Sequence, residues 1–163
     1  MAAALAVPHI STGDLFRDHV ERGTRLGQRA QRFIDAGDLV PDDITRGMVR
    51  DRLREPDTEA GFILDGYPRT QLQAGSLDLM LVQLGRRLSK AIHLRVSDSE
   101  LVARLSGRGR DDDNVRTIRN RLRTFHRYNA PLVTYYAVQG LLAEVNGEGA
   151  PDDVAARLLA VFA

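Results

Sequence analysis

The sequence predicts an α/β protein, a parallel sheet with helices on both faces, and three observations carry that prediction. Short apolar runs at residues 7–10, 62–64, 91–96 and 141–145 alternate with longer stretches of helical periodicity, the order expected of strands joined by crossover helices. The run Phe62-Ile63-Leu64 is apolar at every position, as suits a strand buried inside a parallel sheet. No internal repeat and no low-complexity linker interrupts the 163 residues, so one domain is expected over residues 1–163, long enough for a core of its own.

Each element has a local reason. Residues 7–10 make a short strand in which Pro8 is tolerated at a sheet edge. Ser11 with Asp14 three residues on is a capping-box-like start, and the helix it opens stops near Gly23. A second helix over residues 26–36 ends at Gly37. A third follows Pro41, with Asp42 and Asp43 at its positive end and Ile44, Met48, Val49 and Leu53 on one side. Residues 12–54 therefore read as a small helical unit inserted before Phe62-Ile63-Leu64 and left through the turn Glu55-Pro56-Asp57. After Arg69, a helix carrying Leu72, Leu77, Met80, Leu81 and Leu84 runs to Gly85. Residues 91–96 alternate as a strand, and Ser97 or Asp98 caps a helix that holds Leu101, Val102 and Leu105 and ends at Gly107. A tight charged connector, Arg108-Gly109-Arg110-Asp111-Asp112-Asp113, leads to a long helix from Asn114 with an expected kink at Pro131. Residues 141–145 form the last strand and residues 151–162 the last helix.

Composition narrows the function. Hydrophobic residues at 43% and charged residues at 28% are an ordinary globular balance, and a formal charge of +1 gives no case for bulk attraction to nucleic acid or anionic membrane. Only nine aromatics and no recognised nucleic-acid module point the same way. Lys90 is the sole lysine, so the other 22 of the 23 basic residues are arginines and nearly every basic contact is a forked guanidinium. Zero cysteines exclude disulfides and cysteine-ligated zinc, which fits a reducing, cytoplasmic location. The opening residues are too short and uncharged for a signal peptide, and no apolar run is long enough to span a bilayer. His9, His19, His93 and His126 are scattered without ligand spacing.

The chemistry concentrates at Asp65-Gly66-Tyr67-Pro68-Arg69. The apolar strand delivers Asp65 and then Arg69 to its end, while the helix opened by Ser11 brings Arg17 one turn in. Two arginines so presented suit a phosphate group, gripped by charge-assisted forked hydrogen bonds. Taken alone, the segment also reads as a strand-end turn stiffened by Gly and Pro. Arg116, Arg119 and Arg123 are read as a solvated helix face, and Arg110 and Arg121 as functional. No Gly-x-x-x-x-Gly-Lys sequence occurs.

In this order the residues resemble the adenylate kinases, nucleoside monophosphate kinases of the P-loop class. Ile10-Ser11-Thr12-Gly13-Asp14-Leu15-Phe16-Arg17 is similar to the family's opening of the AMP-binding helix. Asp35-Ala36-Gly37-Asp38-Leu39-Val40-Pro41 resembles the segment that closes over adenine, and Phe62 through Arg69 with Gln73 resembles the family signature. Gly107-Arg108-Gly109-Arg110, Arg121, Ala130-Pro131-Leu132 and Tyr135-Tyr136 complete the match. The resemblance implies reversible transfer, ATP plus AMP giving two ADP, in purine nucleotide homeostasis. It implies AMP contacts from Thr12, Arg17, Asp38, Leu39, Val40, Gly66, Tyr67, Pro68, Arg69 and Gln73, with Gln73 on the adenine edge. Arg69, Arg108, Arg110 and Arg121 would serve the transferring phosphoryl group, and Arg104, Arg108 and Gly149 would meet ATP. Asp65 would sit near Mg2+ through water. Residues 12–54 would be the AMP-binding unit, residues 107–114 a short lid, and the protein a monomer with no nucleic-acid or membrane partner. Tyr135-Tyr136 is expected to pack rather than stack on adenine.

The resemblance also implies departures. The family opens with a strand, a glycine-rich phosphate loop and a helix, of which only the last turns match residues 2–6, so a reading frame that begins upstream is expected. In the family's sheet that first strand lies between the strands at residues 62–64 and 91–96; without it, those two strands should have unpaired edges. As they stand, the 163 residues are expected to make a poor kinase, since a lost preorganised donor costs on the order of two to three powers of ten in rate. A non-catalytic AMP-binding relative is the alternative. A UMP/CMP kinase, against which Thr12 and Gln73 both speak, and a nucleic-acid-binding domain are remoter.

Overall fold

A computed structural model of the chain describes residues 1–110 and 113–162. In chain order its elements are α1 (Ala2–Leu5), β1 (His9–Ser11), α2 (Thr12–Glu21), α3 (Arg25–Ala36), α4 (Asp42–Arg52), a 3-10 turn (Pro56–Thr58), β2 (Ile63–Asp65), α5 (Gln71–Gln83), β3 (Ala91–Arg95), α6 (Asp98–Gly107), α7 (Val115–Val138), β4 (Leu142–Asn146) and α8 (Pro151–Ala160). Small polar residues start the helices by accepting a backbone N–H that has no intrahelical partner. Ser11 accepts from the Asp14 amide, Thr24 from Gly27, Thr70 from Gln73 and Asn114 from Thr117. Of the two candidate caps for α6, Ser97 holds the N-cap position, without a side-chain bond. The long helix α7 continues through Pro131 to Val138.

All strand pairing is parallel, as expected, but the sheet is divided. β1 pairs with β2 in the register His9–Ile63, Ile10–Leu64, Ser11–Asp65, and β3 pairs with β4 from Ala91–Leu142 to Arg95–Asn146. Among the described residues β2 has no strand partner but β1, and β3 none but β4. The single sheet read from the alternation of elements is therefore two separate two-stranded sheets, the outcome implied when nothing pairs between residues 62–64 and 91–96. The strands show the cost. Ile63 and Leu64 are only half-buried, and Leu94 is 43% exposed where a strand in a covered sheet would be enclosed.

The core gathers beside β1 and β2. Ile10, Val49, Leu53, Tyr67, Leu77, Met80 and Leu81 form one buried cluster, with Phe62, Leu64, Leu84 and Leu88 packed against it. On α5, Leu77, Met80 and Leu81 form the buried face, while Leu72 points outward at 79% exposure. A second cluster, Phe16, Ala30, Val40, Ile44 and Met48, joins α2, α3 and α4, while Val49 of α4 and Leu53 just after it belong to the first. Arg86 fastens the far end of α4, donating to the Leu53 carbonyl and to both oxygens of Thr58. Gly27 lets α2 and α3 cross closely: a Cβ there would lie 2.2 Å from the His19 carbonyl oxygen. These contacts hold α2 and α4 firmly against the ends of β1 and β2, where the site lies.

Candidate active site

A cleft of about 1420 Å³ opens along the carboxyl ends of β1 and β2, and extends between β3, β4, α6 and α7. Strand ends of this kind are where open α/β sheets place ligands. The volume exceeds the roughly 300–1,000 Å³ of a single small-ligand pocket, so the cleft has room for more than one small ligand.

One wall is built from the β1–α2 junction and the loop after β2. Thr12, 2% exposed, donates its hydroxyl to the Asp65 carbonyl at 3.3 Å and ties the two strand ends together. Gly66 follows at φ 76°, and a Cβ there would fall 2.7 Å from Thr12 Oγ1 and 3.1 Å from Arg69 Nη2, so only glycine fits the turn. Tyr67-Pro68 is a cis peptide. Arg69 then folds back, its Nε donating to the Gly66 carbonyl at 2.7 Å. Arg69 is exposed to the cleft, yet enough protein surrounds its guanidinium to lower its pKa; burial is the main cause, Arg121 adds to it, and Asp65 opposes it. Two guanidinium groups that disfavour each other in a partly dry site make that site favour an anion.

The other arginines are held by carboxylates. Arg17 lies over Gly13 and pairs with Asp14, whose carboxyl is lowered chiefly by that hydrogen bond, with Arg110 contributing at longer range. Asp113, its side chain 3% exposed, receives Arg108 through two bonds of 2.8 and 2.7 Å and Arg121 through one of 2.5 Å. Its carboxyl is lowered, first by the Arg108 hydrogen bond and further by Arg121. A depressed folded-state pKa contributes stability above the unfolded value, about 3.9 for Asp, and that contribution is lost as pH falls through the folded pKa. Asp113→Asn is therefore expected to lower the urea midpoint at pH 7, with the gap to the parent chain closing below about pH 4. A gap constant with pH would disprove the pairing. Arg104 donates to Glu100 at 2.7 Å and to the Gly147 carbonyl at 3.1 Å, joining α6 to the turn after β4. Arg110 also lines the cleft.

Near the first wall, Phe16, Ile34, Leu39, Val40 and Thr45 border the cleft together with the buried Gln73. The connector between α3 and α4 is pinned to α7: Asn120 donates to the Ala36 carbonyl and to the Asp38 carboxylate at 2.8 and 2.7 Å, and Thr117 donates to the Asp35 carbonyl at 3.0 Å. Asp38 thus faces the cleft while already bonded to Asn120.

The structure brings together in this cleft Thr12, Arg17, Asp38, Leu39, Val40, Asp65, Gly66, Arg69, Gln73, Arg104, Arg108, Arg110 and Arg121. Three expected contacts lie elsewhere. Tyr67 is turned into the core, 3% exposed, its hydroxyl bonded to the Gln73 carbonyl and pushed up to about 12 by burial and then by the Asp42 charge. Pro68 does not border the cleft, and Gly149, at φ 97°, turns the chain outside it beside Arg157. Tyr136 is buried and Tyr135 bonds Asp78, so both pack as expected. Asp111 and Asp112 of the 107–114 connector lie outside the described residues.

The opposite wall holds residues that the sequence does not single out. His93, Arg95, His126, Asn129 and Glu144 line it with Leu94, Val96, Leu101, Leu122 and Phe125. His93 Nδ1 lies 3.2 Å from Glu144 and its Nε2 3.2 Å from the Asn129 amide. The polar His93 and Arg95 inside an otherwise apolar strand over residues 91–96 were the available signal. Among the described residues no group of three or more His, Cys, Asp or Glu is placed to hold a metal. Asp65, mostly exposed and 3.5 Å from His9, lies at the cleft wall and suits a hydrated cation carried by a ligand.

Comparison with known proteins follows this geometry. The family model described as adenylate kinase matches residues 1–141. The chain is 47% identical to an adenylate kinase of Thermobifida fusca over 163 aligned residues, covering 98% of this chain and 86% of that protein. It is 49% identical to an adenylate kinase of Mycolicibacterium vanbaalenii and 48% identical to one of Mycobacterium tuberculosis, covering 98% of this chain and 87% of each relative.

Proposed function

Because this chain belongs to the adenylate kinase family, we propose that its cleft carries out reversible phosphoryl transfer from ATP to AMP, giving two ADP. AMP lies against α2, α4 and the loop after β2, and ATP on the side of α6 and α7. The observation that carries this reading is the convergence of Arg17, Arg69, Arg110 and Arg121 with the buried amide of Gln73 in one cleft. Transfer between two phosphates needs little covalent help from protein; it needs in-line placement and neutralisation of spread negative charge.

Arg69, stiffened by the Gly66 carbonyl, and Arg17 hold the AMP phosphate. An arriving phosphate takes over the role that Asp14 plays for Arg17. On the other side, Asp113 keeps Arg108 and Arg121 extended and facing the cleft, so their charge is positioned before ATP arrives. Arg104 and Arg110 complete that side. Asp65 meets the nucleotide's magnesium through water, the metal supplying further charge neutralisation. Leu39, Val40 and Thr12 enclose the base that Gln73 reads, and residues 107–114 act as a short lid. Gly149, Tyr67 and Pro68 support these groups from outside the cleft.

No Gly-x-x-x-x-Gly-Lys sequence occurs within these 163 residues, and Lys90 is not at the cleft, so the chain's own donors to ATP are guanidinium groups. That observation favours a second reading, AMP binding without transfer. The first reading extends to a monomeric, cytoplasmic enzyme of purine nucleotide homeostasis; no described helix is long and apolar enough to cross a membrane. ADP formation from ATP, AMP and magnesium separates the two. ADP that appears only when AMP is present supports transfer, and saturable AMP binding with no ADP supports the second.

A further inference from the structure

We infer that Asp42 is a positioning residue for base discrimination: with the Arg69 backbone N–H, it fixes the Gln73 carboxamide in the orientation that accepts a 6-amino purine and rejects a 6-oxo purine. The inference rests on the AMP reading above and adds to it the residue that sets the purine preference. Gln73 is 3% exposed, and both ends of its side chain are engaged. Its Oε1 accepts from the Arg69 amide at 2.7 Å, and its Nε2 donates to Asp42 Oδ1 at 2.7 Å. Its backbone is held too, the N–H by Thr70 Oγ1 at 3.2 Å and the carbonyl by the Tyr67 hydroxyl at 3.3 Å. Asp42 comes from a different element, the first residue of α4, so closing this network requires α4 and α5 in their native places.

The two partners admit one orientation. A backbone N–H can only donate and a carboxylate can only accept. Rotating the amide by 180° would set Oε1 against the Asp42 carboxylate and Nε2 against the Arg69 N–H, two repulsive contacts in a buried place. Each end of the amide keeps one unused valence, a lone pair on Oε1 and an N–H on Nε2. An adenine edge matches that pair, its 6-amino group donating to Oε1 and a neighbouring ring nitrogen accepting from Nε2. A 6-oxo base presents an acceptor to Oε1 on either edge of the ring, and only the forbidden rotation would accommodate it. A site built this way discriminates because the wrong base leaves buried polar groups opposed.

Titration calorimetry of AMP and IMP into the 163-residue chain tests this, with no need for turnover. Asp42→Asn lets position 42 present either a donor or an acceptor, and the AMP-over-IMP preference should fall about tenfold, the worth of one hydrogen bond to a charged group. Asp42→Ala should lower it at least as far, and stands in should the Asn variant fail to fold. Equal weakening of AMP and IMP in both variants, or an unchanged preference, would make Asp42 merely structural and overturn the inference. Gln73→Ala should abolish the preference. If it does so while the Asp42 variants do not, Asp42 is refuted and the AMP reading survives. If Gln73→Ala keeps the parent preference, the reading of Gln73 on the base is itself wrong.

Discussion

Arg69→Ala is expected to weaken AMP binding by a factor of about 100 or more while leaving the melting temperature nearly unchanged. The size follows from the surroundings. Arg69 is a forked donor that cannot give up its charge at any ordinary pH, set where burial and Arg121 already make an uncompensated cation unfavourable. A phosphate dianion relieves that condition, so much of its binding energy should pass through this one side chain. Stability should survive because the side chain makes one internal bond, Nε to the Gly66 carbonyl. The backbone N–H that holds Gln73 is kept by alanine. Arg69→Lys retains the charge and loses the fork, and should fall between the two. Calorimetric AMP titration with parallel thermal melts reads both quantities, and an AMP affinity within a few-fold of the parent would refute the assignment.

Leu53→Ala should cost about 2–5 kcal/mol of unfolding free energy, read from the urea midpoint. Leu53 is fully buried, packed with Ile10, Val49, Tyr67, Leu77 and Leu81, where α4 meets β1 and α5. Its carbonyl also accepts from Thr58 Oγ1 at 2.9 Å and from Arg86, so the segment cannot easily move to fill a cavity. Domains commonly hold only about 5–15 kcal/mol in total, and among the described residues β2 and β3 each leave an edge without a strand. A loss of that size is a large fraction of such a total. Loosening α4 should also weaken AMP binding through Val40 and Asp42. A change below about 1 kcal/mol would mean that this core contributes far less than its burial implies.

Much of this architecture can be read along the chain because its signals are local. Ser11 before Asp14, Gly37 after α3 and Asn114 before α7 mark helix ends within a few residues of themselves. Thr12, Arg69 and Gln73 are carried by short segments whose order is diagnostic. What escaped was set by contacts between distant segments. Asp42 lies 31 residues from Gln73, and nothing local tells that its carboxylate, at a helix start where acids are common, turns toward another helix. Asp113 belongs to the tight charged connector, and the fold shows which arginines it serves, its side chain 3% exposed between Arg108 and Arg121. In α5 the apolar residues are spread round the helix, so periodicity could not tell the buried Leu77, Met80 and Leu81 from the exposed Leu72. The division of the sheet, by contrast, followed from the resemblance alone, which places the family's first strand between the runs 62–64 and 91–96; the runs themselves read as one sheet.

The most direct test of phosphoryl transfer in this cleft is the rate of ADP formation from ATP and AMP with magnesium, for the chain beside its Arg121→Ala variant. The account predicts AMP-dependent turnover well below the roughly 1–10³ s⁻¹ usual for enzymes, because no Gly-x-x-x-x-Gly-Lys sequence occurs within these 163 residues to cradle the ATP phosphates. It predicts a further fall of about 10²–10³ in Arg121→Ala. ADP formation that ignores AMP, or that is unchanged by removing Arg121, would contradict it.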